Sequence, residues 1–276
     1  MFRTKRISSR DNADFRELKK LCASVHARRR SGRVILDGMH LIESYTRRFG
    51  SPEAIVVSET GQGHAEIARY LEDRPEIAAL ILADALFTEL ATVDASAGIL
   101  AVVGLPHGVK DPDPSADAVL LDGVQDPGNL GSILRTAAAA GFGQVLLSTD
   151  CARAWSPKTL RAGMGAHFSL DIHENRDLPE FLAGCRGRSI ATAPDAALEL
   201  YALDPADLVR PVAWVFGSEG QGVRPEVSVA ASLRVRIPMP GRVESLNVGA
   251  AAAVCLFETA RRRAGGIALA TPGASC

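Results

Sequence analysis

Short apolar runs alternate with helical segments along most of this chain, and that alternation limits the possible folds more than any other feature. In the first hundred residues the apolar runs begin at Val34, Ala54, Ile77 and Gly98. A short apolar run bounded by polar residues is typical of a buried strand, whereas apolar residues every three or four positions indicate an amphipathic helix. Residues 1–105 are therefore predicted to form a small α/β sandwich.

A proline-rich segment interrupts the alternation. Pro106, Pro112 and Pro114 stand among polar residues, where neither a regular helix nor an inner strand can continue. We therefore predict a linker at 106–117 and a second domain at 118–276.

The second domain repeats the alternation with longer helices. The predicted strands are Ala118–Leu121, Gln144–Ser148, Ser189–Ala193, Val212–Phe216 and Val235–Pro238. The predicted helices are Pro127–Gly141, Ser156–Met164 and Val248–Arg263. Strands that alternate with helices predict a mostly parallel sheet with both faces covered. The fold class is α/β.

Composition excludes several classes of protein. The 276 residues are 47% hydrophobic and 23% charged, as in ordinary globular proteins, and no apolar run is long enough to cross a membrane. The N-terminus lacks the apolar core of a secretory signal. Five scattered cysteines without a C-x-x-C pair indicate reduced thiols. A cytoplasmic protein is expected.

The first fifty residues are strongly basic. They contain thirteen Lys and Arg but five Asp and Glu, and the cluster is densest at Arg28, Arg29, Arg30 and Arg33. Such a segment binds phosphates with salt-dependent affinity and little sequence preference. The alternative is a solvated, flexible N-terminal arm, and charge alone leaves both interpretations open.

The segment Asp122–Arg135 is the first of three that look unlike ordinary scaffold. A buried strand leads to a polar turn, and the helix that follows presents free N–H groups. Ligands of open parallel sheets bind at the carboxyl ends of strands, so Asn129 and Arg135 are candidate site residues. Alternatively, Asp126 caps the helix and Arg135 pairs with a surface carboxylate.

Two further segments combine glycine or proline with polar residues. Gly217–Gly222 follows an apolar strand and permits close approach of a ligand, yet it matches neither a Walker loop nor a G-x-G-x-x-G turn. A tight turn explains it equally well. Ile237–Ala250 is a rigid loop that carries Ser245 and Asn247 into an Ala-rich helix, where Ser245 could be an N-cap.

Taken in order, the three segments resemble the signature motifs of the SpoU (TrmH-type) branch of the SPOUT RNA methyltransferases. The matching stretches are DPGNLGSILRTAAAAGF, VFGSEGQGV and IPMPGRVESLNVGAAAAVCLFE. The stretch SPKTLRAGMGAHFSLDI is similar to the family's linking segment, although Gly163 stands where a serine is common. The N-terminal stretch VILDGMHLIES more loosely resembles a ribosomal-protein-like (L30e-like) RNA-binding domain.

The resemblance implies a C-terminal trefoil knot that binds S-adenosylmethionine. The cofactor-binding positions would be Gly217, Ile237 and Leu246, together with Gly220, Met239, Val215 and Phe216. The catalytic set would be Arg135, Asn129, Glu219, Ser245 and Asn247. Because a guanidinium normally stays protonated, Arg135 is expected to polarise the acceptor hydroxyl and fix the adjacent phosphate.

The resemblance also implies a homodimer in which the first-motif helix and the last helix pack across a two-fold axis, although the Ala/Val-rich run from Val248 suits an internal core equally well. No metal is expected, and His167 and His173 are interpreted as structural. The expected activity is methylation of a ribose 2′-hydroxyl in rRNA, with tRNA second. Base methylation and an RNA-binding assembly factor without catalysis are the alternatives.

Overall fold

The structure, a computed structural model, describes residues 4–91, 97–105, 111–209 and 211–269. Within these ranges the chain forms two compact units: Met1–Gly108 with Trp155–Phe168, and Val109–Ala154 with Ser169–Cys276. None of the described helices combines the length and apolar character needed to cross a membrane. The four described cysteines are free thiols, as predicted, and Cys276 lies outside the described residues.

The elements of the first hundred residues alternate as the sequence predicts. In chain order they are β1 (Thr4–Ile7), α1 (Ala13–Ala23), α2 (Val25–Ser31), β2 (Arg33–Asp37), α3 (Met39–Phe49), β3 (Ala54–Ser58), α4 (Ala65–Glu72), β4 (Ala78–Leu82), α5 (Asp84–Leu90) and β5 (Ile99–Gly104). The strands form one sheet in the order β1-β4-β3-β5-β2. Strands β1, β4 and β3 are parallel, whereas β5 is antiparallel to both of its neighbours.

Apolar clusters cover both faces of this first sheet. One contains Ile42 and Tyr45 of α3 with Val34 and Val57 of the sheet. The other contains Phe15 and Leu18 of α1 with Ile35, Val56 and Leu100. Successive strand residues point to opposite faces, which explains why neighbours such as Val34 and Ile35 belong to different clusters. The predicted α/β sandwich is confirmed.

The basic N-terminal segment is folded, which corrects the alternative of a flexible arm. Strand β1 pairs with β4, and Asn12 caps α1 by accepting a hydrogen bond from the Asp14 amide. Part of the positive charge on this segment is compensated: Lys5 pairs with Asp14, and Arg10 and Lys19 both pair with Glu89.

The remaining elements, apart from α7 (Pro157–Gly163), build the second unit around a seven-stranded sheet. In chain order they are β6 (Ala118–Asp122), α6 (Pro127–Ala139), β7 (Gln144–Leu147), α7 (Pro157–Gly163), β8 (Asp171–His173), α8 (Leu178–Gly184), β9 (Arg188–Thr192), β10 (Leu198–Glu199), β11 (Val212–Gly217), α9 (Pro225–Ala230), β12 (Leu233–Arg236) and α10 (Val248–Leu269). The strand order is β10-β12-β9-β11-β6-β7-β8, and every described pair is parallel. The predicted parallel sheet is confirmed.

One detail of the second unit differs from the sequence prediction. The last long strand covers Leu233–Arg236 and not Val235–Pro238. Pro238 lacks the N–H that a strand ladder needs, so Ile237 and Pro238 belong to the following loop. The trefoil knot stays a prediction.

The boundary between the predicted domains is more complex than a single linker. Helix α7 follows β7 in the chain, yet Trp155–Phe168 belongs by its contacts to the first unit. There Leu160 and Phe168 join the cluster that contains Tyr45. Of the predicted linker, residues 106–110 lie outside the described residues. The remainder belongs to the second unit, where Gln144 Nε2 donates to the Asp113 carbonyl at 2.6 Å.

Candidate functional site

A cavity of about 630 Å³ lies where the strands of the second sheet end. This volume is within the usual range for small-molecule sites and exceeds the two cavities of about 170 and 240 Å³ in the first unit. Its lining comes from the chain after β9 (Thr192, Ala193, Pro194), the chain after β11 (Phe216–Gly222), and the segment from β12 to α10 (Val235, Arg236, Ile237, Met239, Glu244, Ser245, Leu246, Val248, Ala251). The cavity therefore lies at the carboxyl edge of a parallel sheet, where ligands are expected.

The loop after β11 closes tightly on itself. The Ser218 amide donates to the Gly222 carbonyl at 3.0 Å, and the Gly222 amide returns a hydrogen bond at 2.9 Å. A Cβ on Gly217 would lie 1.9 Å from the Gly222 carbonyl carbon, so only glycine fits there. In contrast, a Cβ on Gly220 would meet no atom within 4 Å. The loop thus combines a compact base with an open, backbone-lined wall on the cavity.

An ion pair between a buried carboxylate and a partly exposed arginine fastens the far end of this loop to β6. Asp122 is 1% exposed and ends β6 opposite Gly217. Its Oδ2 accepts from the Arg224 amide at 2.8 Å, and its Oδ1 accepts from Arg224 Nε at 2.8 Å and Nη2 at 2.7 Å. The hydrogen bonds to Asp122 raise the pKa of Arg224 above its usual value. Sequence reasoning missed this pair, although a charge at the end of a buried strand was a signal.

Three predicted catalytic side chains form a hydrogen-bonded chain beside the cavity. Asn247 Nδ2 donates to Asn129 Oδ1 at 3.0 Å, and Asn129 Nδ2 donates to Glu219 Oε1 at 2.6 Å. These residues come from the three segments singled out in the sequence, and Glu219 itself lines the cavity. The arrangement offers amide donors and a carboxylate next to a site for a small ligand.

Local caps set the positions of the two asparagines. Asp126 caps α6 by accepting from the Asn129 amide at 2.7 Å, so the alternative proposed for Asp126 is correct. Asn247 Oδ1 accepts from the Gly249 amide at 2.9 Å at the start of α10. The cap there is Asn247 and not Ser245, and Ser245 instead lines the cavity. Caps therefore orient the same residues that form the polar chain.

Arg135 is not part of that hydrogen-bonded chain. It lies about 9 Å further along the axis of α6 than Asn129 and roughly 120° around it. Arg135 is exposed and does not line the cavity. It has no ion pair or hydrogen bond among the described residues, which leaves its guanidinium available to a ligand. The predicted alternative, a surface carboxylate partner, is not observed there.

The predicted cofactor-binding residues line the cavity with one exception. Gly217, Gly220, Phe216, Ile237, Met239 and Leu246 all contribute to it. Val215 is a correction: its side chain is fully buried in the apolar cluster with Leu120 and Val227. Adjacent strand residues point to opposite faces, so Val215 faces away from the side that Phe216 occupies. The residues after β9 were missed, although their predicted strand ends at the same edge.

The four predicted RNA-binding arginines have different surroundings. Arg28 is a correction, because it is 6% exposed and its Nη1 donates to the Leu21 carbonyl at 2.8 Å at the end of α1. Arg33 pairs with Glu17. Arg29 and Arg30 are exposed on α2.

The two histidines of interest are buried away from the cavity. His167 is 1% exposed and its ring lies 5.3 Å from that of Trp155. Burial and the nearby Arg176 lower the pKa of His173, which favours its neutral form. Among the described residues no group of three His, Cys, Asp or Glu side chains could hold a metal ion.

Comparisons with known proteins identify the family of this chain. The model of the SpoU rRNA Methylase family matches residues 117–257, which include every segment of the polar chain. An uncharacterised tRNA/rRNA methyltransferase of Synechocystis is 32% identical, over 97% of this chain and 96% of its own length. A 23S rRNA (guanosine(2553)-2′-O)-methyltransferase of Bacillus subtilis is 29% identical, over 92% and 98%. A crystal structure of an RNA 2′-O ribose methyltransferase superposes with a TM-score of 0.80 at 30% identity, covering 94% of this chain and 99% of that one.

Proposed function

This chain belongs to the SpoU rRNA methylase family, and from that premise we propose that it transfers a methyl group from S-adenosylmethionine to a ribose 2′-hydroxyl of ribosomal RNA. The observation that carries the proposal is the polar chain Asn247–Asn129–Glu219 at the edge of a glycine-lined cavity. The name of the Bacillus subtilis relative, which is similar over nearly its whole length, favours rRNA as the substrate class.

The cavity fits S-adenosylmethionine in size and chemistry. Gly220 leaves open space that a side chain would fill, and the exposed backbone of this loop can contact an adenine ring. Glu219 and Glu244 supply negative charge to the lining, which suits a ligand with a sulfonium and an ammonium group. The bound cofactor would supply an activated methyl group on its positively charged sulfur.

The protein's own task is to hold a weak nucleophile in line with that methyl group. Asn129 and Asn247 present amide groups beside the cavity and can orient a ribose hydroxyl, while Glu219 fixes the orientation of Asn129. Ser245 lines the cavity and can donate to the ribose or the cofactor. Arg135 does not line the cavity. In this proposal it reaches the hydroxyl and the adjacent phosphate from a second copy of the chain, across the dimer contact proposed below, and polarises the hydroxyl with its guanidinium donors.

The experiment that tests this function is transfer of labelled methyl groups to unmodified rRNA and tRNA. We expect rRNA to be labelled and the modified nucleotide to resist alkaline cleavage, because a 2′-O-methyl group removes the attacking hydroxyl. Labelling of tRNA alone would change the substrate class, and label at an alkali-sensitive nucleotide would indicate base methylation. Absence of transfer to any RNA by protein that binds the cofactor would contradict the proposal.

RNA is held, in this proposal, partly by the exposed arginines of α2. Arg29 and Arg30 contact phosphates, whereas Arg28 supports the end of α1. Replacing Arg29 and Arg30 with alanine should lower the slope of log affinity against log salt by about 1 to 2, the effect of losing two phosphate contacts. The same slope in the double variant would remove these residues from the interface.

We also propose a homodimer formed through α6 and α10. Both helices expose small residues, including Ser132, Ala139 and Ala250, and Phe257 on α10 is 51% exposed. An exposed aromatic side chain among small residues suits a close helix contact across a two-fold axis. Light scattering should find a dimer for the wild type and a monomer for Phe257→Asp. Val229→Asp, at an 85% exposed valine on α9, is the control. A monomeric wild type at micromolar concentration would contradict this proposal.

A further inference from the structure

The loop that lines the cavity contacts Asp122, the last residue of β6, at both of its ends. At its start, Gly217 pairs with Asp122 in the register between β11 and β6. At its end, the amide and the guanidinium of Arg224 both donate to the Asp122 carboxylate. Asp122 therefore lies opposite Gly217, where the loop begins, and binds Arg224, where the loop ends.

This anchoring fixes the residues that the site uses. Between Gly217 and Arg224 the loop supplies Ser218, Glu219, Gly220, Gln221 and Gly222 to the cavity lining. Glu219 also reaches Asn129 on α6. A small displacement of the loop would change the cavity wall and the polar chain together, because both depend on the same few backbone atoms.

We propose that Asp122 and Arg224 are a positioning pair that holds the 218–222 loop in the conformation that binds the methyl donor and presents Glu219 to Asn129. The proposal rests on the proposed function, since it names S-adenosylmethionine as the ligand of this cavity. Neither residue touches the reacting atoms. Their effect on the reaction passes through the loop.

A purely structural role is the alternative, and the chain contains a matched control for it. At the other end of β6, Asp117 is 8% exposed and accepts from Arg263 Nη1 at 2.8 Å and Nη2 at 3.0 Å. It also accepts from the Val212 amide at 2.9 Å. The two pairs share chemistry, burial of the carboxylate and a backbone amide, but neither Asp117 nor Arg263 lines the cavity.

The test compares Arg224→Gln with Arg263→Gln in the full-length protein. Titration calorimetry gives the Kd for S-adenosylmethionine without RNA, and steady-state kinetics give kcat and the KM for RNA. We expect Arg224→Gln to raise the donor Kd about tenfold, because a pre-organised wall is lost. Its kcat should fall about 100-fold, as for reacting groups displaced by about 1 Å, with an unchanged KM for RNA. Arg263→Gln should lower Tm yet leave the donor Kd within about twofold at temperatures where it is folded.

Arg224→Lys extends the test and replaces Arg224→Gln if that variant does not fold. An ammonium group keeps the charge but cannot bind the carboxylate in the same fork-like geometry, so we expect near-normal Tm with weaker donor binding and reduced kcat. Wild-type Kd and kcat in folded Arg224→Gln or Arg224→Lys would overturn the positioning role. If the wild type itself does not bind S-adenosylmethionine, the proposed function fails, which is a separate result.

Discussion

The two ends of β6 carry similar Asp–Arg pairs in different surroundings. At the carboxyl end, Asp122 holds Arg224 and the loop that lines the cavity. At the amino end, Asp117 holds Arg263 of α10, and Trp214 Nε1 donates to Thr259 of the same helix at 3.0 Å. Removing one partner from a buried pair costs about 3–5 kcal/mol. The Arg224 side chain is 40% exposed and that of Arg263 is 18% exposed, so solvent screening lowers the cost more at the carboxyl end. The comparison teaches that location relative to the cavity decides whether that energy supports only the fold or also the chemistry.

The largest expected effect comes from two glycines at opposite ends of the same sheet. A Cβ on Gly217 would lie 2.0 Å from the Val223 amide nitrogen, within the loop, and a Cβ on Gly187 would lie 1.9 Å from the Pro211 carbonyl oxygen. Gly217→Ala should displace the loop and abolish measurable donor binding by calorimetry. Gly187→Ala should lower Tm but bind the donor once folded. Normal donor binding by Gly217→Ala would contradict the claim that the carboxyl end of the sheet, unlike the amino end, determines donor binding.

The second-largest effect is a difference in methyl transfer between variants of two exposed arginines, Arg135 and Arg188. Arg135→Ala should reduce methyl transfer by about 10²- to 10⁴-fold, the range for losing a group that assists proton transfer, with donor affinity nearly unchanged. Arg188, the first residue of β9, pairs with Asp207 and provides the control. Arg188→Ala should leave kcat unaffected in the labelled-methyl assay. Near-normal turnover by Arg135→Ala would mean that the catalytic assignment of Arg135 is wrong.

A double-mutant cycle sharpens the account of the polar chain. Asn129→Ala and Glu219→Ala should each lower kcat/KM by about 10- to 100-fold, since a hydrogen bond to a charged group contributes about 1.5–3 kcal/mol. The 2.6 Å bond between them predicts that the double variant loses much less than the sum of the two. Additive losses would show that the two side chains act separately.

The smallest effect is a pH dependence of the free energy of unfolding that arises from Glu258 on α10. Hydrogen bonds from Arg261 and Arg262 lower the pKa of Glu258 to about 2. A depressed folded-state pKa stabilises the protein above the unfolded value near 4.5, and this contribution is lost as pH falls from there towards 2. Urea unfolding of the wild type and Glu258→Gln should therefore differ at neutral pH and converge near pH 2. The Kd for S-adenosylmethionine at neutral pH should be the same for both proteins. A different Kd would mean that a side chain outside the cavity lining also affects donor binding.

The sequence predicted the parts of the site that follow from order along the chain. Apolar runs located β6 and β11, and the rule that ligands bind at carboxyl ends made Asn129 and Arg135 candidate site residues. Glu219 was expected only from the resemblance to the family. The sequence did not predict contacts between residues that are far apart in the chain. Arg28 looked like its neighbours in an arginine run, yet its guanidinium meets the Leu21 carbonyl. Strand β1 has only four residues, too few for a period of two to be recognised.

The assignment of residues to the two units shows the same limit of sequence-based prediction. Residues 155–168 follow β7 in sequence but belong with the first unit, because Leu160 and Phe168 complete an apolar cluster there. The pairing of Asp122 with Arg224 also joins residues far apart in the chain, so the charge at the end of a buried strand indicates a partner without identifying it. Local chemistry predicted elements and motifs, whereas tertiary packing determined which residues meet.

The most direct test of the central claim is a crystal structure of the protein soaked with S-adenosylhomocysteine. The account predicts the ligand in the cavity behind Gly217, with its sulfur facing the side on which Glu219 meets Asn129. A ligand bound elsewhere, or an empty cavity at saturating concentration, would contradict the claim that these loops form the donor site.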